Sequence, residues 1–123
     1  THFEIPNTGT SIGTKSFNGC SSLTKLEIPA SVLSMGDEVF GNCSSLTRIE
    51  LSPSLKSIGV NTFISCSSLT HIHVPKSITS IGNNAFDGCY SITKFEIPSS
   101  VTCIGDYSFK NCVSLSKIEI HHQ

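Results

Sequence analysis

A fixed step of 23 residues organises this sequence, and cysteine, phenylalanine and glycine all repeat at it without an insertion or deletion. The five repeating cysteines are Cys20, Cys43, Cys66, Cys89 and Cys112. A period between about 20 and 50 residues is typical of a solenoid, in which one unit cannot bury its own apolar side and must stack on its neighbours. We therefore predict a single repeat solenoid over residues 1–123, built from about five units of 23 residues, with its function on a repetitive surface.

The composition excludes several classes of function. Charged residues make up only 14% of the chain, the net charge is -1, and there is no basic run, so we expect no nucleic-acid partner. No apolar run approaches the roughly 20 residues that a membrane span needs, so we expect no membrane insertion by this segment. Because the chain begins and stops within a unit, we expect it to be part of a longer array.

Each unit contains one stretch in which apolar and polar residues alternate, such as Leu46-x-x-Ile49-x-Leu51. Alternation at period two predicts a strand with one buried face. Proline follows most of these stretches and ends the strand, because it lacks an N–H group for the ladder. The inward residues of the six predicted parallel strands are Phe3 and Ile5, Leu26 and Ile28, Ile49 and Leu51, Ile72 and Val74, Phe95 and Ile97, and Ile118 and Ile120.

The remainder of the unit is predicted to hold a weaker extended segment and a short turn. An aliphatic residue directly before the repeating glycine, such as Ile58, indicates the second segment. The stretch from glycine to cysteine is shorter than the ~12 residues of a stable isolated helix, so we expect one helical or 3₁₀ turn. Suitable N-cap residues for this turn are Asp37, Asn83 and Asp106, and the residue before each cysteine is expected to be left-handed. The repeating phenylalanines should point inward and stack from unit to unit.

The repeating cysteines are predicted to be buried free thiols. Cysteines at one position of a stacked coil lie about 4.8 Å apart with parallel side chains, whereas the Cβ atoms of a disulfide lie about 3.8 Å apart and face each other. Free cysteine packs as a small apolar residue. Cys103 stands where other units have serine, and we expect it to be a further lone thiol.

The outward side chains of the strands form a basic column beside an acidic one. From the second predicted strand to the fifth, the residues expected to bind a partner are Lys25, Glu27, Arg48, Glu50, His71, His73, Lys94 and Glu96. Such columns keep an open sheet soluble, and a pair of opposite charges on each strand offsets the crowding of like charges. They also suit a zwitterionic surface that recognises a protein, and the two roles are compatible.

The fourth strand carries His71 and His73 in place of the charged pair. A His-x-His spacing on a strand is common among metal ligands, but the sequence offers no third strong ligand beside it. A metal-dependent activity at this pair is one hypothesis, but we predict no metal site and no cofactor. The sequence contains no phosphate loop, no nucleophile elbow and no HExxH pattern, so we predict that the chain is not an enzyme.

The segments Cys20-Ser-Ser-Leu-Thr-Lys-Leu-Glu-Ile-Pro29 and Ser100-Val-Thr-Cys-Ile-Gly105 carry a pattern that closely resembles the BspA-like leucine-rich repeat. The resemblance covers nearly the whole chain. It implies parallel strands on a concave face, with short turns on the other side. It also implies a cell-surface or secreted adhesin whose concave face binds a host matrix or cell-surface protein. The alternative is a ligand-recognition domain of a larger intracellular signalling protein.

Both ends of the array are expected to expose an unpaired strand edge and apolar core. The strands around Phe3 and Ile118 have no polar capping unit beside them in this sequence. We therefore expect end-to-end self-association of the isolated chain.

Overall fold

Ten short strands follow one another in the part of the chain that the structure, a computed structural model, describes, which is Ile5 and residues 8–120. They are β1 (Ser11–Ile12), β2 (Lys25–Glu27), β3 (Ser34–Met35), β4 (Arg48–Glu50), β5 (Ser57–Ile58), β6 (His71–His73), β7 (Ser80–Ile81), β8 (Lys94–Ile97), β9 (Cys103–Ile104) and β10 (Lys117–Ile120). The even-numbered strands are the predicted alternating stretches, and the odd-numbered ones are the predicted weaker segments. Both predictions are confirmed, and the first predicted strand, around Phe3 and Ile5, lies outside the described residues apart from Ile5.

Every strand pair is parallel, and the register follows the 23-residue step. Lys25 lies beside Arg48, which lies beside His71. The even-numbered strands form a three-stranded sheet, β2-β4-β6, and a two-stranded sheet, β8-β10. Because side chains alternate between the two faces of a strand, Leu26 and Ile49 point into the core while their neighbours face outward. The chain is therefore a parallel β-solenoid of about five turns.

The side between the repeating glycine and cysteine contains no helix in the described part of the chain, so the predicted helical or 3₁₀ turn is wrong. Two residues of each turn are left-handed, for example Glu38 with φ 56° and Asn42 with φ 62°. Alternate amides then point along the solenoid, so that the amide of Phe40 donates to the carbonyl of Thr62 in the next coil at 3.0 Å. A helix would direct its amides back along its own chain, and these bonds between coils would be lost. The left-handed residue before each cysteine is confirmed.

Two of the expected N-cap residues bond to the next coil instead of to their own turn. Oδ1 of Asp37 accepts a hydrogen bond from the amide of Val60 at 3.1 Å, and Oδ1 of Asn83 accepts one from the amide of Asp106 at 2.7 Å. The N-cap prediction is wrong for both residues, because there is no helix for them to cap. The repeating glycine permits this close stacking, since a Cβ atom at Gly82 would lie 2.7 Å from the backbone of the preceding coil.

The core contains a continuous stack of phenylalanine rings. The rings of Phe40 and Phe63 are nearly parallel, with centroids 5.5 Å apart, and both are fully buried. The stack continues to Phe17 on one side and through Phe86 to Phe109 on the other, which confirms that these residues point inward. Among the described rings of this stack, the first and the last, Phe17 and Phe109, are only partly buried.

Candidate functional site

The outward side chains of β2, β4, β6 and β8 form one exposed surface, here called the charged face. It consists of the eight residues that the sequence singles out for partner binding: Lys25, Glu27, Arg48, Glu50, His71, His73, Lys94 and Glu96. All eight are exposed, because strand alternation turns the apolar residues between them into the core. The structure therefore brings the whole set together on one side of the solenoid.

On β2 and β4 the charges stand free. Lys25 lies beside Arg48 and Glu27 lies beside Glu50, so that like charges are neighbours across the strands. Within the described residues, none of these four side chains makes an ion pair within 4.0 Å. The expected pair of opposite charges on each strand does not form here. No opposite charge compensates these side chains at contact distance, which strengthens their attraction for a charged partner.

On β8 and β10 the charges neutralise one another. Nζ of Lys94 lies 3.0 Å from Oε1 of Glu119 and 3.5 Å from Oε2 of Glu96. Nζ of Lys117 lies 3.7 Å from Oε2 of Glu119. The hydrogen bond to Glu119 raises the pKa of Lys94, and the same bond lowers the pKa of Glu119. Because these side chains remain in contact with water, the pairs contribute little net stability.

The two histidines of β6 lie between the free and the paired charges. Both are exposed, and Nδ1 of His71 lies 2.9 Å from the hydroxyl oxygen of Thr70. Among the residues that the structure describes, no group of three or more His, Cys, Asp or Glu side chains is placed to hold a metal ion. His71 and His73 therefore belong to the charged face, where their ring nitrogens can donate or accept hydrogen bonds.

The charged face contains a depression with a volume of about 680 Å³. It is lined by residues of β4, β6 and β8 together with Thr70 and Thr93, and Lys25 and Glu27 lie outside it. The depression lies over a split in the sheet. The split is the junction between β6 and β8, which are not paired. Most Cα–Cα distances between these two strands exceed 8 Å, whereas paired strands lie about 4.8 Å apart.

The split also interrupts a ladder of hydroxyl residues that precedes the strands. The amides of Thr47, Thr70 and Ser116 each donate to the carbonyl of the equivalent residue one coil earlier, at 2.8, 3.1 and 2.9 Å. Their hydroxyl groups donate to the same carbonyls. At the split this arrangement is missing. Within the described residues, neither the amide nor the hydroxyl of Thr93 donates a hydrogen bond, and the carbonyl of Thr70 accepts none.

The sequence did not predict the split or the role of Thr70 and Thr93. One local signal exists at the inward position of β8, where Phe95 replaces the aliphatic residue of its neighbouring strands. The ring of Phe95 packs edge-on against Phe86 and Phe109, with centroids 4.9 and 4.8 Å apart. Phe95 therefore contacts both the turn that follows β6 and the turn that follows β8.

The three central repeating thiols are buried and have a structural role. Sγ of Cys66 donates a hydrogen bond to the carbonyl of Phe40 in the preceding coil at 3.1 Å, and Cys43 bonds in the same way to Phe17. Burial raises the pKa of Cys43 to about 11 and that of Cys66 to about 12, so both stay protonated near neutral pH. The prediction of free thiols is confirmed, since all six cysteines are unpaired. The predicted burial of the repeating thiols is confirmed for Cys43, Cys66 and Cys89, whereas Cys20 and Cys112 are only partly buried, and the lone thiol of Cys103 is exposed.

A parallel solenoid with 23-residue coils, one strand in the same place in each coil and a stacked apolar core is a leucine-rich-repeat solenoid. The BspA type leucine rich repeat region, a known protein family, matches residues 1–123 in six copies. The chain therefore belongs to the BspA-type leucine-rich repeat family, as the resemblance implied. No curated protein matches it in sequence.

Several solved structures share this fold. A leucine rich cell surface protein from Faecalibacterium prausnitzii A2-165 is 39% identical, with a TM-score of 0.95 over 98% of this chain. A leucine-rich repeat protein from Bacteroides ovatus ATCC 8483 is 41% identical and one from T. pallidum is 37% identical, each with a TM-score of 0.86 over 89% of this chain. The chain spans 32%, 28% and 51% of these three proteins in turn. In the part of the chain that is described, no helix has the length and apolar character needed to cross a membrane.

Proposed function

We propose that this chain is a non-catalytic protein-binding module that recognises its partner through the charged face. The observation that carries the proposal is the pair of free charge columns on β2 and β4, which run directly into the depression over β4, β6 and β8. A partner with complementary charges can contact these columns without first breaking an ion pair. The leucine-rich-repeat fold supports a binding role, since such solenoids present extended repetitive surfaces.

We further propose that the partner is a host matrix or cell-surface protein, and that the chain acts at the cell surface as part of an adhesin. The support is the family together with the similarity to the cell surface protein from Faecalibacterium prausnitzii. A recognition domain of an intracellular signalling protein has no comparable support.

The test compares charge reversal on and off the charged face. The double variant Lys25→Glu, Arg48→Glu is expected to weaken binding to immobilised extracellular-matrix proteins at least about tenfold, because attraction is exchanged for repulsion. The matched control is Lys56→Glu, Lys76→Glu, which changes the net charge equally at exposed residues outside the face.

Surface plasmon resonance at low and high salt measures both variants, since added salt should reduce the difference between them. A loss of equal size in the two double variants, or no loss in either, would overturn the proposal.

A further inference from the structure

The split between β6 and β8 is confined to the strand side of the solenoid. On the turn side the same two coils stay joined, because the amide of Phe86 donates to the carbonyl of Ser108 at 2.9 Å and that of Gly88 donates to Lys110 at 2.9 Å. The short strands β7 and β9, which follow, are also paired. Intact hydrogen-bond ladders therefore frame the opening, and among the described even-numbered strands it occurs at this one junction. The odd-numbered strands have a separate break, because β3 and β5 are not paired.

The split is wider than the spacing between two paired strands. Neighbouring strands lie about 4.8 Å apart, so a strand placed between two others needs them about 9.6 Å apart. Most Cα–Cα distances between β6 and β8 already exceed 8 Å. The opening is therefore wider than a paired junction, and a separation of about 9.6 Å admits one extended segment.

The edges of the split carry unused hydrogen-bonding groups. Thr93 offers an amide and a hydroxyl donor, and Thr70 offers a carbonyl acceptor, at positions where the other strand junctions have bonds. Unpaired groups along a strand edge are a template for a further strand. Ile72 is only partly buried, whereas the equivalent Leu26 and Ile49 are buried, so an apolar contact is also available inside the split.

We propose that the split is a docking site for an extended peptide segment of the protein partner, which inserts as a parallel strand between β6 and β8. This inference rests on the proposed function and identifies the part of the partner that the charged face takes up. The parallel direction follows from the surrounding sheet, in which every pair is parallel.

Charge determines which segment fits. At one end of the split stand His71 and Lys94, in the basic column, and at the other end stand His73 and Glu96. An inserted parallel strand therefore matches best with an acidic residue at the first end and a basic residue two positions later. The residue between them points inward, towards Ile72, and should be apolar. The recognised pattern is acidic, apolar, basic.

The probe is a fluorescein-labelled synthetic peptide, Gly-Ser-Thr-Glu-Val-Lys-Val-Ser-Gly. One control peptide exchanges its Glu and Lys, and a second carries N-methyl groups on two successive central amides. Fluorescence anisotropy should show the exchanged peptide binding at least about fivefold more weakly, because both charge pairs become repulsive. The methylated peptide should lose at least about tenfold in affinity, because it cannot pair with both edges. Equal binding of the parent and methylated peptides overturns strand insertion.

Amide hydrogen exchange, followed by NMR, locates the peptide on the protein. The amide of Thr93 should exchange at least about tenfold more slowly with saturating peptide, because it gains an acceptor. The amides of Thr70 and Ser116 already donate to the preceding coil and serve as internal controls. Unchanged exchange at Thr93 in the bound protein overturns the proposal.

A pair of variants at the same position separates the backbone from the side chain. Thr93→Pro removes the amide donor without breaking a hydrogen bond of the free protein and is expected to abolish peptide binding, whereas Thr93→Val keeps the amide and should retain most of it. If Thr93→Pro does not fold, the binding of the methylated peptide and the exchange rate of the Thr93 amide still test whether the peptide inserts as a strand. One outcome separates this inference from the proposed function. If binding of a protein partner is weakened by changes at Lys25 and Arg48 but the exchange rate of the Thr93 amide stays the same, strand insertion is overturned and the proposed function stands.

Discussion

The two halves of the strand side use the same repeat in different ways. On β2 and β4 the basic and acidic columns stand free, while on β8 and β10 the corresponding residues form a chain of ion pairs. In both halves each strand carries a lysine or arginine and, two residues later, a glutamate. Exposed ion pairs contribute little, so small differences in side-chain geometry decide whether they form. Column composition alone is therefore a poor guide to which charges are paired, and the free half offers a partner charges that no ion pair occupies.

The boundary between the halves coincides with the split between β6 and β8. The first half continues as one paired sheet up to the histidines, and the second begins where Phe95 packs against Phe109 of the last coil. The turn side shows no such boundary, since its cross-coil hydrogen bonds run through both halves. The opening thus reflects packing on the strand side and not a break in the solenoid.

The largest expected effect tests whether the two halves share one core. Phe63→Ala should lower the free energy of unfolding by about 3–5 kcal/mol, because the fully buried ring leaves a cavity that its neighbours cannot fill. Phe109→Ala should cost less, because that ring is partly buried and belongs to the last described coil. Urea denaturation of the two variants measures the difference. Equal losses would contradict nearest-neighbour stacking.

The second effect concerns the outer edge of the paired half. Ile118 and Ile120 on β10 are 45% and 59% exposed, and we expect this edge to mediate end-to-end self-association of the isolated chain. Ile120→Lys should raise the dissociation constant about tenfold, because a charge is placed in an apolar contact. The control is Val60→Lys, which alters an exposed apolar residue of an inner coil. Sedimentation analysis that shows a strict monomer at high micromolar concentration would refute the expectation.

The smallest expected effect is a change in the pKa of Glu119, which distinguishes the paired charges from the free ones. The pKa of Glu119 is lowered in the folded chain, so its pair with Lys94 stabilises the fold above the unfolded pKa of about 4.3. That contribution is lost as the pH falls through the lower folded value. Lys94→Ala should move the Glu119 pKa back up, as an NMR titration of its carboxyl carbon would show. The control is Lys25→Ala, in the free half, which should leave the titration of Glu119 unchanged. An equal shift of the Glu119 pKa in both variants would contradict the distinction between free and paired charges.

The conformation of the turn side does not follow from local sequence rules. The short stretch from Gly36 to Cys43 was expected to be helical, and local rules favoured that expectation. The structure instead places Glu38 and Asn42 in the left-handed region, because this orients alternate amides towards the next coil. A bond of this kind joins residues 22 positions apart, so no pattern within one turn reveals it. Only Asn42 has a residue type that commonly adopts this conformation.

Residue order alone was enough to establish the solenoid, its register, its free thiols, its inward phenylalanine stack and the set of residues on the charged face. Each of these follows from a repeated step and from strand alternation, which are local rules applied many times. The ion pairs of β8 and β10, the conformation of the turns and the split beside Thr93 were decided only in the folded chain. They depend on how side chains and backbone groups of different coils meet, and such contacts between coils cannot be derived from the local rules of one unit.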